Sequence, residues 1–143
     1  GVVAAMSSIE LSSAPPRFLQ HVDDNNYNFT KCVPNSWMSV DLGAARRLAV
    51  DHYCLRHGNN SGANMLRNWR LEGSNDNTAW VVLKTHTNDQ ALAAMAFSTA
   101  EWPVTPPTAE GFRHFRIFHS EADSNFAHLF CAGIELYGTL SKA

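Results

Sequence analysis

Lysine is scarce in this sequence: three residues in 143, against eight arginines. The formal net charge is −2. So little positive charge gives no electrostatic grip on nucleic-acid phosphates or on an anionic membrane, and neither partner is expected. Long apolar runs are missing too, and none nears the roughly 20 residues needed to cross a bilayer. The opening residues, Gly1 to Met6, are mildly apolar but lack a basic leader and are too short for a signal peptide. Together with the ending Leu140-Ser141-Lys142-Ala143, they read as a domain taken from a longer chain. There is no CxxC pair, no zincin histidine spacing, no phosphate-cradling glycine loop and no Gly-x-Ser-x-Gly elbow. Neither catalysis nor a cofactor or metal is therefore expected. Cysteines are few, odd in number and internal: Cys32, Cys54 and Cys131. All three are expected as free thiols, with Cys54 and Cys131 as small buried hydrophobes of strands.

What is present is period-two alternation. Strand signals recur at Met38 to Leu42, Ala49 to Arg56, Asn68 to Glu72, Trp80 to Thr85, Phe112 to His119 and Gly133 to Tyr137. Proline pairs and isolated prolines punctuate the connections. The length suits one domain over residues 1–143, and the pattern an all-β antiparallel sandwich of the jelly-roll kind. Trp37, Val40, Leu42, Leu55, Trp69, Leu71, Trp80, Phe115, Ile117, Ile134 and Leu136 are the expected core. One helical candidate interrupts the pattern, the alanine-rich stretch Asn88 to Ala96, with Asn88 as its cap.

Four motifs stand in register. Ser36-Trp37-Met38-Ser39-Val40-Asp41-Leu42-Gly43 runs from a tryptophan into Asp-Leu-Gly. Asn68 to Trp80 passes from a strand through Gly73-Ser74-Asn75-Asp76-Asn77 to a tryptophan four residues after the Asp. Phe112-Arg113-His114-Phe115-Arg116-Ile117 sets two arginines three apart, and Ala132-Gly133-Ile134-Glu135-Leu136-Tyr137-Gly138 closes the series. Over residues 7 to 138 this order resembles the discoidin family, also called coagulation-factor type C domains. The family's turn glycine is replaced by Asn77, the next best residue for a left-handed turn. The resemblance implies a galactose-binding-type β-sandwich and binding rather than catalysis. Extracellular members are stapled end to end by a disulfide, whereas this chain has no cysteine at either end. That pattern resembles the intracellular members found in BTB-domain adaptors, muskelin-like proteins and ubiquitin-ligase components, and points to a reducing, cytoplasmic setting.

Three polar segments are too irregular for strands: His21 to Asn28, His57 to Arg67 and His119 to His128. In a sandwich of this topology they are expected to gather at one end, where the family binds its ligands. The candidate ligand-binding residues are Asp23, Asn26, Tyr27, Arg56, His57, Asn59, Asn60, Asn64, Arg67, His119, Glu121, Asn125 and Phe126. Arg56, Arg67 and Arg116 offer forked donors for a carboxylate or peptide carbonyl. The asparagines offer adaptable amide contacts, and Arg67 is the expected central contact. Tyr27, Phe29, Met65, Leu66 and Phe126 are candidate exposed anchors. Asp23-Asp24 raises calcium, but its spacing matches no EF-hand and it reads as a loop-shaping acid. His52 and His114 read as hydrogen-bonded sheet histidines. The expected partner is a protein or peptide, through substrate or subunit recruitment in a ubiquitin-ligase-type assembly. A carbohydrate is the alternative, with Tyr27, Asn60, Arg67 and His119 supplying a platform and hydroxyl partners.

Overall fold

The computed structural model describes residues 1–20, 26–119 and 128–143. Among these residues eight strands appear: β1 (Val3–Met6), β2 (Ser36–Asp41), β3 (Arg46–Arg56), β4 (Trp69–Ser74), β5 (Val81–His86), β6 (Thr99–Pro103), β7 (His114–His119) and β8 (Gly133–Lys142). They form two antiparallel sheets, one ordered β1-β2-β7-β4-β5 and the other β6-β3-β8. Among the described residues there is no α-helix, only a 3-10 turn at Pro15–Leu19. The all-β sandwich is therefore as expected, with β1 and β6 added to the strands legible in the sequence.

Alternation places Met38 and Val40 of β2, Trp69 and Leu71 of β4, and Phe115 and Ile117 of β7 in the layer between the sheets. Tyr53 and Leu55 of β3 and Ile134 of β8 meet them from the other side. Leu42 and Leu136 pack at the margin. Trp37 and Trp80 correct the expected core. Trp37 lies one residue out of phase with Met38 and Val40, so it faces away from the sandwich. Trp80 is half-buried and lies against the Arg116 guanidinium, 4.1 Å from ring centroid to Cζ.

A polar chain crosses this apolar layer. Trp69 Nε1 donates to the Tyr53 hydroxyl at 3.0 Å, and that hydroxyl donates to His86 Nε2 at 2.6 Å. His86 Nδ1 donates to Asp89 at 2.8 Å, while its ring stacks on Trp69 with centroids 3.8 Å apart. Trp102 packs edge-on against both rings. Every donor in the chain finds an acceptor, which is what lets a tyrosine and a histidine sit in a dry core. Burial pushes the Tyr53 hydroxyl well above the ordinary tyrosine range.

The expected turn after β4 forms with one change. Asn77 is left-handed, φ 59°, as its place in the motif requires. Gly73 lies within β4 instead, and a Cβ there would sit 2.7 Å from the Phe112 ring, so glycine is needed for packing. The expected helix at Asn88 to Ala96 does not form. Asn88 has φ 46° and Phe97 φ 51°, and Arg67 Nη1 captures the carbonyl oxygens of Asp89 and Leu92. Those oxygens are the acceptors a helix would need, and a buried Leu92 pins the segment to the core.

Candidate functional site

Strand pairing sets which loops share an end. Arg56 at the close of β3 pairs with Thr99 and Gly133, which open β6 and β8. In the other sheet Trp69 pairs with His86, Arg70 with Phe118, and Ser36 with His119. The connections 57–68 and 87–98 and the described residues just before β2 and β8 therefore lie at one end of the sandwich. Main-chain bonds tie them together there. Asn28 N donates to Gly58 O at 2.9 Å, Cys131 N to Asn28 O at 3.0 Å, and Phe97 N to Asn59 O at 3.1 Å. Gly58 is required by this closeness, since a Cβ would lie 2.4 Å from both Asn28 O and Cys131 N.

Several sequence candidates turn out to hold this end in shape. His57 is fully buried, and its Nε2 donates to the carbonyls of Ser61 and Ala63, both at 3.1 Å. Two carbonyl acceptors fix the proton on Nε2, and burial pulls its pKa below the ordinary histidine value. The ring is closed to a ligand and instead rivets the 57–64 turn. Arg67, expected as the central contact, bonds Asp89 O at 3.2 Å and Leu92 O at 2.7 Å, and so braces the neighbouring loop. His119 is buried. Of the expected anchors, Leu66 and Phe29 are buried and Met65 is half-buried against the core. Phe29 is face to face with Phe130, centroids 4.3 Å apart. Leu66, Phe29 and Met65 thus each have an inward partner.

Other candidates remain on the outside. Asn26, Asn60 and Asn64 are exposed, Tyr27 and Asn59 half-buried. Asn64 is left-handed, φ 56°, which a tight exposed turn tolerates in asparagine. Asn59 donates to Ala63 O at 3.2 Å. Arg56 lies over the Phe97 ring, 4.7 Å from its centroid. Phe97 was missed from the sequence, because nothing in an alanine-serine context announces an aromatic at positive φ. Asp23, Glu121, Asn125 and Phe126 lie outside the described residues.

Among the described residues no group of His, Cys, Asp or Glu side chains converges as a metal site. Cys32, Cys54 and Cys131 are free thiols. Cys131 is buried, its pKa pushed up to about 12 by desolvation. Cys54 departs from expectation: it is only partly buried on the outer face of β3, its thiol 3.6 Å from Glu101. His52 shares that face and stacks on Tyr137, centroids 4.4 Å apart. No helix among the described residues is long and apolar enough to cross a membrane.

This sandwich with its bundled loop end has the galactose-binding-like fold also seen in discoidin (F5/8 type C) and lectin domains. The lectin domain of lectinolysin superposes with a TM-score of 0.74 at 20% identity, over 97% of this chain and 94% of that one. An F5/8 type C domain from Bacteroides fragilis gives 0.67 at 16%, over 97% and 92%. In sequence the chain is 36% identical over 113 residues to the E3 ubiquitin-protein ligase Ufd4 of Drosophila melanogaster, covering 76% of the chain. It is 36% identical over 120 residues to the E3 ubiquitin-protein ligase hecd-1 of Caenorhabditis elegans, covering 82%. A BTB/POZ domain-containing protein of Arabidopsis thaliana is 34% identical over 108 residues, or 73% of the chain. The chain spans 4% of the length of each ligase and 13% of the BTB/POZ protein. No family model matches it.

Proposed function

We propose that the chain is a non-catalytic recognition domain of a larger cytoplasmic protein, using its loop end to recruit a protein or peptide substrate or subunit to a ubiquitin-ligase-type assembly. The observation that carries this reading is the division of labour at that end. His57, Arg67 and Asn28 fix the backbone, while Asn60 and Asn64 face outward. A surface already ordered before contact loses less entropy on binding. Similarity to two ligases and a BTB/POZ protein supports the setting, and the three free thiols agree with a reducing one.

A photo-crosslinking residue at position 60 tests this, compared with one at position 78 on the opposite end. A specific protein adduct at 60 alone is expected. Equal labelling at both positions would sink the proposal. A second reading is carbohydrate binding, because similar structures are complexes with GalNAc-β-1,3-galactose and with Lewis b antigen. A glycan array decides it: saturable binding that places a sugar on Tyr27 and Asn60 would replace the protein-partner reading.

A further inference from the structure

A sheet edge presents a row of unpaired N–H and C=O groups, and proteins guard such edges against stray strands. Among the described residues this sandwich has four edges, and three are guarded. β1 is only four residues long. β6 has five and closes on Pro103, which has no N–H to give. β5 carries a bulge of its own: Leu71 pairs with Lys84 and Glu72 with Val82, which leaves Leu83 unmatched. Lys84 also shares the core side with Leu71 and sends its ammonium to Pro103 O at 2.7 Å, in the other sheet. A bulge and an inward-pointing charge both stop an edge from pairing.

The fourth edge has no such guard. β8 runs ten residues, with one sheet neighbour among the described residues. Its pairing with β3 also has a bulge, but the extra residue is Asp51 of β3, so β8 itself stays unbroken. Gln20 comes up against the first residue of β8, where a Cβ on Gly133 would lie 3.1 Å from Gln20 O. Further along, the strand opens out. Tyr137 is 42% exposed and Leu140 60%, and Gly138 and Thr139 between them are exposed. Residues 137–141 include no proline and no charge.

This stretch suits a second copy of itself. Identical strands meet antiparallel about a two-fold axis, which brings like residues near one another, so a charged edge would repel its twin. Tyr137-Gly138-Thr139-Leu140-Ser141 has no charge to repel. Gly138 and Leu140 are in register with the core residues Val50 and Leu48, so they share the core side and Thr139 takes the outer one. With the axis at Thr139, the two threonines lie opposite each other, a favourable cross-strand pair. Leu140 of each copy then faces Gly138 of the other, where the missing side chain leaves it room.

We propose that residues 137–141 are a self-association surface. A second copy of the chain adds there antiparallel, and the three-stranded sheets of the two copies join into one of six strands. Gly133 lies at the loop end, so the open stretch lies towards the other end. The antiparallel join points the two loop ends away from each other and leaves both free, so this inference and the loop-end proposal stand or fall separately.

A single strand pair buries less than the roughly 1,200 Å² of a standard interface, so the expected dimer is weak, half formed at about 100 µM and dominant by about 1 mM. The test is sedimentation velocity of the chain across that range, with amide hydrogen exchange alongside. Protection at residues 137–141 should rise with concentration while that of 57–64 does not. Leu140→Lys sets two like charges near the axis and should weaken association about tenfold. Thr139→Lys, exposed and on the outer side, should do the same and carries the test if Leu140→Lys does not fold. Val82→Lys, at the guarded β5 edge, should leave association unchanged. A monomer throughout the range, association that neither β8 variant weakens, loss of association with Val82→Lys, or protection gained at the loop end instead would each overturn the proposal. So would a foreign strand, the blocked pentapeptide Thr-Val-Thr-Val-Thr, if it protects 137–141 in a chain that stays monomeric, because that edge would then serve an extended segment of another protein.

Discussion

The two ends of the sandwich are equally polar in sequence and differ in what their polar groups do. At the end away from the loops, the groups close on one another. Ser74 Oγ accepts from Asn77 N at 3.0 Å and donates to Asp76 at 3.0 Å, and Asp76 accepts from Ala79 N at 2.8 Å. Arg113 grips Asp41 through two bonds of 2.7 and 2.8 Å, and Asp41 also receives Gly43 N at 2.8 Å. At the loop end only some residues are engaged in this way, and Asn60 and Asn64 are exposed. Polarity alone therefore does not mark a binding surface. A surface is marked where rigidly held backbone carries side chains that the fold does not use.

Substitutions break this contrast in graded fashion. Trp69→Ala removes a fully buried ring and the donor to the Tyr53 hydroxyl, and should cost about 3–5 kcal/mol by chemical denaturation. Ser74→Ala takes away a buried hydroxyl serving several partners and should cost about 1–2 kcal/mol, with amide protection lost around Asn77. Arg67→Ala should cost about 1 kcal/mol and loosen residues 88–92 first, because two partly buried carbonyls lose their donor. If Arg67→Ala leaves the melting temperature unchanged while weakening a partner, Arg67 is a contact after all. Asn60→Ala should change stability by less than about 0.5 kcal/mol, as expected of an exposed loop residue, and show itself only in binding.

Acid sharpens the comparison further. Burial lowers the pKa of His57 and of His86, so the unfolded chain binds these protons more readily than the folded one. The stability they confer is complete above the ordinary histidine value near 6.5 and falls as pH drops below it. Asp41 has the same sign at a lower window. Its bond to Arg113 brings its pKa down to about 2, so its contribution persists until pH falls through the carboxylate range. Hydrogen exchange at pH 5.5 should therefore show opening at residues 57–64 and 86–92 while 41–46 stays protected. Simultaneous opening of both ends would show that the histidines report global unfolding rather than local loosening.

Much of this was legible in the sequence, and the failures share a cause. Period-two alternation identified Val40, Trp69, Leu71, Phe115 and Ile117 as core, and the Asn77 turn followed from backbone sterics. Trp37 and Trp80 were placed in the core on hydrophobicity, although phase puts Trp37 outside, and only three-dimensional pairing reveals a guanidinium waiting for Trp80. Leu66 and Phe29 looked like exposed anchors because their neighbours are polar, yet both turn inward. Asn88 to Ala96 looked helical from local propensity, but the acceptors it needed were claimed by Arg67, twenty-two residues from Asp89. That the 57–67 loop lies beside Asn28 was legible through fold resemblance. Which of its side chains are struts was not, because His57 and Arg67 reach main-chain acceptors whose positions exist only once the fold has formed.

The His57 rivet has a consequence for how the loop end can change. Its turn is held through the carbonyls of Ser61 and Ala63, which every amino acid supplies. Gly62 is fixed by crowding, since a Cβ would lie 2.2 Å from Ala94 O, but the exposed side chains at positions 60 and 63 play little part in holding the shape. New recognition preferences can therefore be written at those positions by drift or by library selection, with the scaffold left intact.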